Sequence, residues 1–128
     1  MVEGTLWAMT TRVVIAAGRG TLRLGLRRAL TAAGFDVTSE CHTAQQAVEA
    51  VARDRPDICV VDSALTGGAL VAAAAIALPS HPPAVLVIDP QGTDAALRAA
   101  ELAGASGYLR GTPDEDRIAD AIADLLHE

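Results

Sequence analysis

Asp57-Ile58-Cys59-Val60-Val61-Asp62 is the stretch from which the rest of the chain is best read. Its four central apolar residues run without a polar break, which suits a strand covered on both faces at the centre of a parallel sheet. Ser63-Ala64-Leu65-Thr66-Gly67-Gly68 follows and reads as a loop. Asp62 therefore stands at the carboxyl edge of a central strand, where open α/β sheets place their sites.

Outward from this stretch the same pattern recurs. Arg12-Val13-Val14-Ile15-Ala16-Ala17 is a second buried run, broken by Gly18-Arg19-Gly20. Leu22, Leu26, Ala29, Leu30 and Ala33 then recur at helical spacing, and Gly34 stops that helix. Phe35 to Glu40 alternates apolar and polar residues, as a strand near a sheet edge does. Thr43 and Gln46 form a capping-box pair ahead of an apolar face of Ala44, Ala47, Val48, Val51 and Ala52, which Arg55-Pro56 closes. Ala69 to Leu78 reads as an alanine-rich helix, and Pro79 to Pro83 as a loop.

Ala84 to Ile88 is a third continuous apolar run, and it too ends on a carboxylate, Asp89. Thr93 and Gly104 bracket another helix, and Gly107-Tyr108-Leu109 is a short last strand. Pro113 with Asp114, Glu115 and Asp116 begins a helix whose apolar face is Ile118, Ala121, Ile122 and Leu125. Five strand–helix repeats with short connections predict a doubly wound parallel sheet with helices on both faces.

Composition narrows the function. The chain has 128 residues, 51% apolar, which is one domain with an alanine-rich core. A net charge of −6 without a basic run argues against a nucleic-acid surface on these residues. Cys41 and Cys59 are too few for a disulfide framework, and a reducing, cytoplasmic setting is expected. No apolar run is long enough for a membrane span. Residues 1–11 lack the layout of a secretory signal and read as a flexible extension, with Met9 an alternative start.

Few residues suggest chemistry. Asp62 and Asp89 end what should be neighbouring strands, with their carboxylates close together. The plain reading is two solvated acids at a sheet edge; the sharper one is a coupled pair or half of an unusual metal site. Arg19 is either a solvated loop arginine or a counter-ion reaching Asp62 or Asp89. Gly18-Arg19-Gly20 hints at a phosphate loop, but Arg23 stands where the dinucleotide fingerprint has its third glycine, and turn geometry explains the glycines more simply. His42, His81 and His127 lack ligand spacing and read as surface residues. No nucleophile–base pair supports independent catalysis, so the chain is not expected to be an enzyme.

Arg12 to about Leu126 resembles the receiver domain of bacterial response regulators of the NarL/FixJ type. The likeness is carried by Arg12-Val13-Val14-Ile15, Leu22-Arg23, Gly25-Leu26-Arg27, Arg55-Pro56-Asp57 through Asp62, and above all Gly104-Ala105-Ser106-Gly107-Tyr108-Leu109. It implies a flavodoxin-like sheet of order 2-1-3-4-5 over residues 12–128. It also implies aspartyl phosphorylation assisted by Mg²⁺, with Asp62 in the acceptor position and Tyr108 as the switch aromatic. The metal-holding acid pair of the family falls on Ala17 and Gly18, its hydroxyl on Asp89 and its lysine on Gly111.

These replacements remove the groups that neutralise a phosphoryl dianion. Mg²⁺ requires hard oxygen ligands, so its binding is expected to be weak or absent. The expectation is a pseudo-receiver: a regulatory and dimerisation module in two-component-type signalling or transcription control. Its partners would be a second copy, a sensor kinase or a regulatory protein. Contact would run through the fourth helix, fifth strand and fifth helix, or through the first and last helices. Nucleic acid would be met only through a helix-turn-helix domain outside these residues, the chain being a truncation or a stand-alone receiver. The alternatives are a conventional phosphoacceptor at Asp62, or a ligand sensor using space near Ala17, Gly18 and Gly111.

Overall fold

The computed structural model describes residues 11–111 and 114–126. The expected extension, save for Thr11, and the expected helix-starting Pro113 and surface His127 lie outside them. Strands β1 (Arg12–Ala16), β2 (Asp36–Cys41), β3 (Ile58–Asp62), β4 (Ala84–Asp89) and β5 (Gly107–Arg110) alternate with five helices. These are α1 (Gly20–Ala32), α2 (Ala44–Asp54), α3 (Ala69–Ala77), α4 (Asp94–Ala103) and α5 (Glu115–Leu126). All four strand pairings are parallel, in the order β2-β1-β3-β4-β5. This is the flavodoxin-like doubly wound sheet that the alternation and the resemblance imply.

The unbroken apolar runs are explained by the two faces. Val13, Ile15, Ile58, Val60, Leu86 and Ile88 pack against α1 and α5, together with Leu26, Leu30, Ile118 and Ile122. Their neighbours Val14, Ala16, Cys59, Val61, Val85 and Val87 pack against α2, α3 and α4. A strand between two helical layers must be apolar at every position, since successive side chains go to opposite faces. Burying each such valine, leucine or isoleucine stabilises the fold by roughly 1.5–3 kcal/mol. On α2 the buried set differs slightly from the periodic expectation: Ala50 is buried and Ala52 is exposed, where α2 meets the loop after α3.

The helix ends follow local chemistry. Thr43 and Thr93 accept from the backbone N–H of Gln46 and Ala96, each three residues on. The reciprocal half of the box is displaced by one residue, because Gln46 accepts from the N–H of His42. Asp114 accepts from Arg117 N–H at the start of α5. Arg55 closes α2 in a left-handed conformation with φ 50°, the one non-glycine residue with positive φ among those described. His42 and His81 are exposed, as expected.

Candidate functional site

Parallel strands deliver their carboxyl ends to one edge, and the loops β1–α1, β3–α3 and β4–α4 start there, with Gly111 at the end of β5. Asp62 ends β3 and is fully buried, at 0% exposure. That corrects the simpler expectation of a solvated acid. A buried carboxylate needs a cation and hydrogen bonds, and both are present. Arg19, just before α1, donates its Nε to Asp62 Oδ2 at 2.9 Å and a terminal nitrogen to Oδ1. The backbone N–H of Ala64 also donates to Oδ1 at 3.0 Å. The fork is the bidentate geometry that arginine forms and lysine cannot. Arg19's side chain is itself 48% exposed, so the pair has one wet and one dry partner. The hydrogen bond to Asp62 holds the Arg19 guanidinium above its already high pKa.

The supporting shell is made of backbone. Ala17 lies in the α1/α5 core, and its carbonyl accepts from Arg23 at 2.8 Å. Gly18 has no positive φ, so turn geometry does not explain it. Space does: a Cβ there would lie 3.3 Å from the His42 carbonyl and 3.4 Å from Thr66 Oγ1. With Arg23 of α1 bonded to the Ala17 carbonyl and Arg19 to Asp62, the guanidinium groups in and after the Gly18-Arg19-Gly20 turn are engaged by the protein itself.

Asp89 is also at this edge, but it is not paired with Asp62. The sheet sets Asp62 beside Ile88 and Asp89 beside Arg110. One residue out of step, the two side chains belong to opposite faces: Asp62 follows Val60 toward α1, and Asp89 follows Val87 toward α3 and α4. The expected close carboxylate pair is therefore replaced by two separate acids that share only the field of Arg19. Asp89 accepts from the Tyr108 hydroxyl at 2.5 Å and from Gln91 N–H at 3.2 Å.

Tyr108 is half-buried against the α2–α4 core. Burial first, and the Asp89 hydrogen bond second, push its phenol up to about 12. Gly92, which the sequence reading passed over, holds this arrangement: a Cβ there would lie 2.4 Å from the Tyr108 hydroxyl. Arg110 faces away from Asp62; it pairs with Asp94 at 2.6 Å and lies 6.0 Å from the Tyr108 ring centre. Gly111 has φ 84° and donates its N–H to the Asp89 carbonyl at 3.1 Å.

A magnesium ion does not fit these donors. Ala17 and Gly18 offer no side-chain oxygen, and both oxygens of Asp62 face Arg19. Among the described residues no group of three His, Cys, Asp or Glu could hold a metal.

No protein-family model matches the chain, and no curated protein matches it. Solved structures do. The signal receiver domain described as that of the response regulator NarL from Mycobacterium tuberculosis is 28% identical with a TM-score of 0.84, over 89% of this chain and 94% of that one. A two-component response regulator of the LuxR family from Aurantimonas is also 28% identical, with a TM-score of 0.83, over 90% of this chain and 84% of that one. Along almost its whole length the chain is similar to response-regulator receiver domains, whose fold it has. A LuxR-family DNA-binding response regulator from Staphylococcus aureus shares the receiver fold at 15% identity, with a TM-score of 0.84 over 91% of this chain and 99% of that one.

In this receiver-like fold two of the positions singled out from the sequence come together directly, Arg19 with Asp62. Two others, Asp89 and Tyr108, form a second cluster across the sheet, and Gly111 binds the first of them through the backbone. No helix among the described residues is long and apolar enough to cross a membrane.

Proposed function

We propose that this receiver is a non-catalytic regulatory module that works without Mg²⁺-dependent phosphorylation of Asp62. The observation that carries the reading is the Arg19 fork on both oxygens of a fully buried Asp62. Phosphoryl transfer needs a free carboxylate oxygen in line with the donor and cations on the transferring group. Here an internal cation already neutralises the acceptor. The positions that would hold the metal and greet the phosphoryl oxygens are Ala17, Gly18, Asp89 and Gly111.

The module then acts through contacts: with a second copy, or with a cytoplasmic signalling or regulatory protein. The LuxR and NarL descriptions of its structural neighbours support a setting in transcription control, with any DNA contact made by residues outside this domain.

The test is intact-mass spectrometry after incubation with Mg²⁺ and acetyl phosphate. No phosphoryl adduct is expected on the native chain. Stoichiometric modification mapped to Asp62 would instead establish a conventional phosphoacceptor and end this reading. Calorimetry with Mg²⁺, Mn²⁺ and Ca²⁺ should give no binding heat.

A further inference from the structure

The receiver-like domain has a cleft on the α3 and α4 side of the sheet, which reaches Ser63 beside Asp62 but is not lined by Asp62 itself. It lies between α3 and α4, has a volume of about 350 Å³ and is floored by Val87 and Ala100. Leu70 and Val71 form one rim, both exposed, and Ala96 and Ala99 form the opposite wall. Small side chains on α4 leave the space that larger ones would fill. This is not the region near Ala17, Gly18 and Gly111 that the sequence suggested for a ligand.

One end of the cleft is polar. Asp89 and Tyr108 line it there. The Asp89 carboxylate has only neutral donors, the Tyr108 hydroxyl and the Gln91 N–H. The ion pairs of the described residues are Arg19–Asp62, Arg27–Glu40, Arg53–Asp54 and Arg110–Asp94, so none answers Asp89. Arg110, its strand neighbour, is engaged with Asp94. A carboxylate has about four acceptor positions, and two of those on Asp89 are in use.

We propose that this cleft binds a small organic cation: an apolar body against Leu70, Val71 and Ala99, with one ammonium group on Asp89. An ammonium supplies donors to the unused positions and the direct ion pair that Asp89 lacks, Arg19 and Arg110 acting on it only at longer range. Partial shielding by the apolar walls makes that attraction stronger than at an open surface. An anionic ligand of the same shape would be repelled, and a neutral one would leave the carboxylate unanswered. The net charge of −6 favours approach of a cation. The inference does not rest on the phosphorylation-independent reading, because Asp62 belongs to the opposite face.

The probe is 2-phenylethylamine, titrated into ¹⁵N-labelled protein and followed by amide NMR. Saturable shifts are expected in residues 69–72, 87–92 and 96–100. 2-Phenylethanol, nearly the same shape without charge, should bind about tenfold more weakly or worse, the difference that one charge-assisted hydrogen bond makes. Asp89→Asn should lose a similar factor. Ala99→Leu fills the cleft and should abolish the shifts while leaving the amide resonances of β1, β2 and α1 in place, which checks that the fold is intact. The proposal is overturned if the amine gives no saturable shifts there, if the alcohol binds equally well, or if Ala99→Leu binds like the native chain.

Discussion

Asp62 and Asp89 end adjacent strands at one edge of one sheet, and the protein treats them in opposite ways. Asp62 is sealed from water and matched by a guanidinium fork. Asp89 stays half-buried beside a cleft and is matched by a phenol and an amide. The residue type is the same and the strand position nearly so. What separates them is one residue of register and the pleat, which sends the first acid toward the α1 side and the second toward α3 and α4. A carboxylate's role here depends on which face it joins, not on the edge it ends.

The largest expected effect breaks the first half of that comparison. Arg19→Ala leaves a buried carboxylate uncompensated and should lower stability at neutral pH by about 3 kcal/mol, whereas Asp89→Asn should cost well under half as much. Urea unfolding of both variants measures this. Arg19→Met combined with Asp62→Leu should recover most of the loss, since a matched apolar pair carries no stranded charge. An Arg19→Ala chain as stable as the native one would mean that Asp62 is not sealed as described.

Gly92→Ala attacks the second half. Its new methyl group would sit where the Tyr108 hydroxyl lies. A loss of about 1–3 kcal/mol is expected from the forced shift. The same substitution in a Tyr108→Ala background should cost distinctly less, which a double-mutant cycle reads directly.

The phenol itself sharpens the contrast. Tyr108 is the only tyrosine, so absorbance near 295 nm reports it alone. Its midpoint should fall near pH 12. Because the folded pKa is raised, the stabilisation is fully present below pH 10 and is lost as pH rises from 10 toward 12. Asp89→Asn should lower the midpoint only in part, because burial is the larger cause.

A third carboxylate, away from the strand ends, serves as a control with the smallest effect. Asp54 is held down to about 2, from an ordinary value of 3.8, by hydrogen bonds from Arg53 and then Ser39. Its contribution is present above pH 4 and disappears as pH falls toward 2. Asp54→Asn should flatten the melting temperature across that window and leave the Tyr108 titration untouched.

Much of the fold was legible because two-sided burial forces unbroken apolar runs, as in Val13 to Ala17, Ile58 to Val61 and Val85 to Ile88. The caps were legible too, since Thr43, Thr93 and Gly104 act within three or four residues of themselves. Arg19 appeared as one of two possibilities, because a guanidinium on a long stem reaches Asp62, 43 positions away in the chain, only after the intervening segment has folded back. Gly92 escaped notice because its reason is a tyrosine on the next strand.

Local pattern thus determined the order and kind of the elements and the edge at which the acids emerge, because those depend on nearest neighbours and on the period of the backbone. Only the tertiary structure decided that Asp62 is dry and ion-paired, that Asp89 faces a different cleft with no ion-pair partner among the described residues, and that Tyr108 joins the second acid. Those outcomes are set by register between strands and by the reach of side chains across loops, which no single stretch of the chain contains.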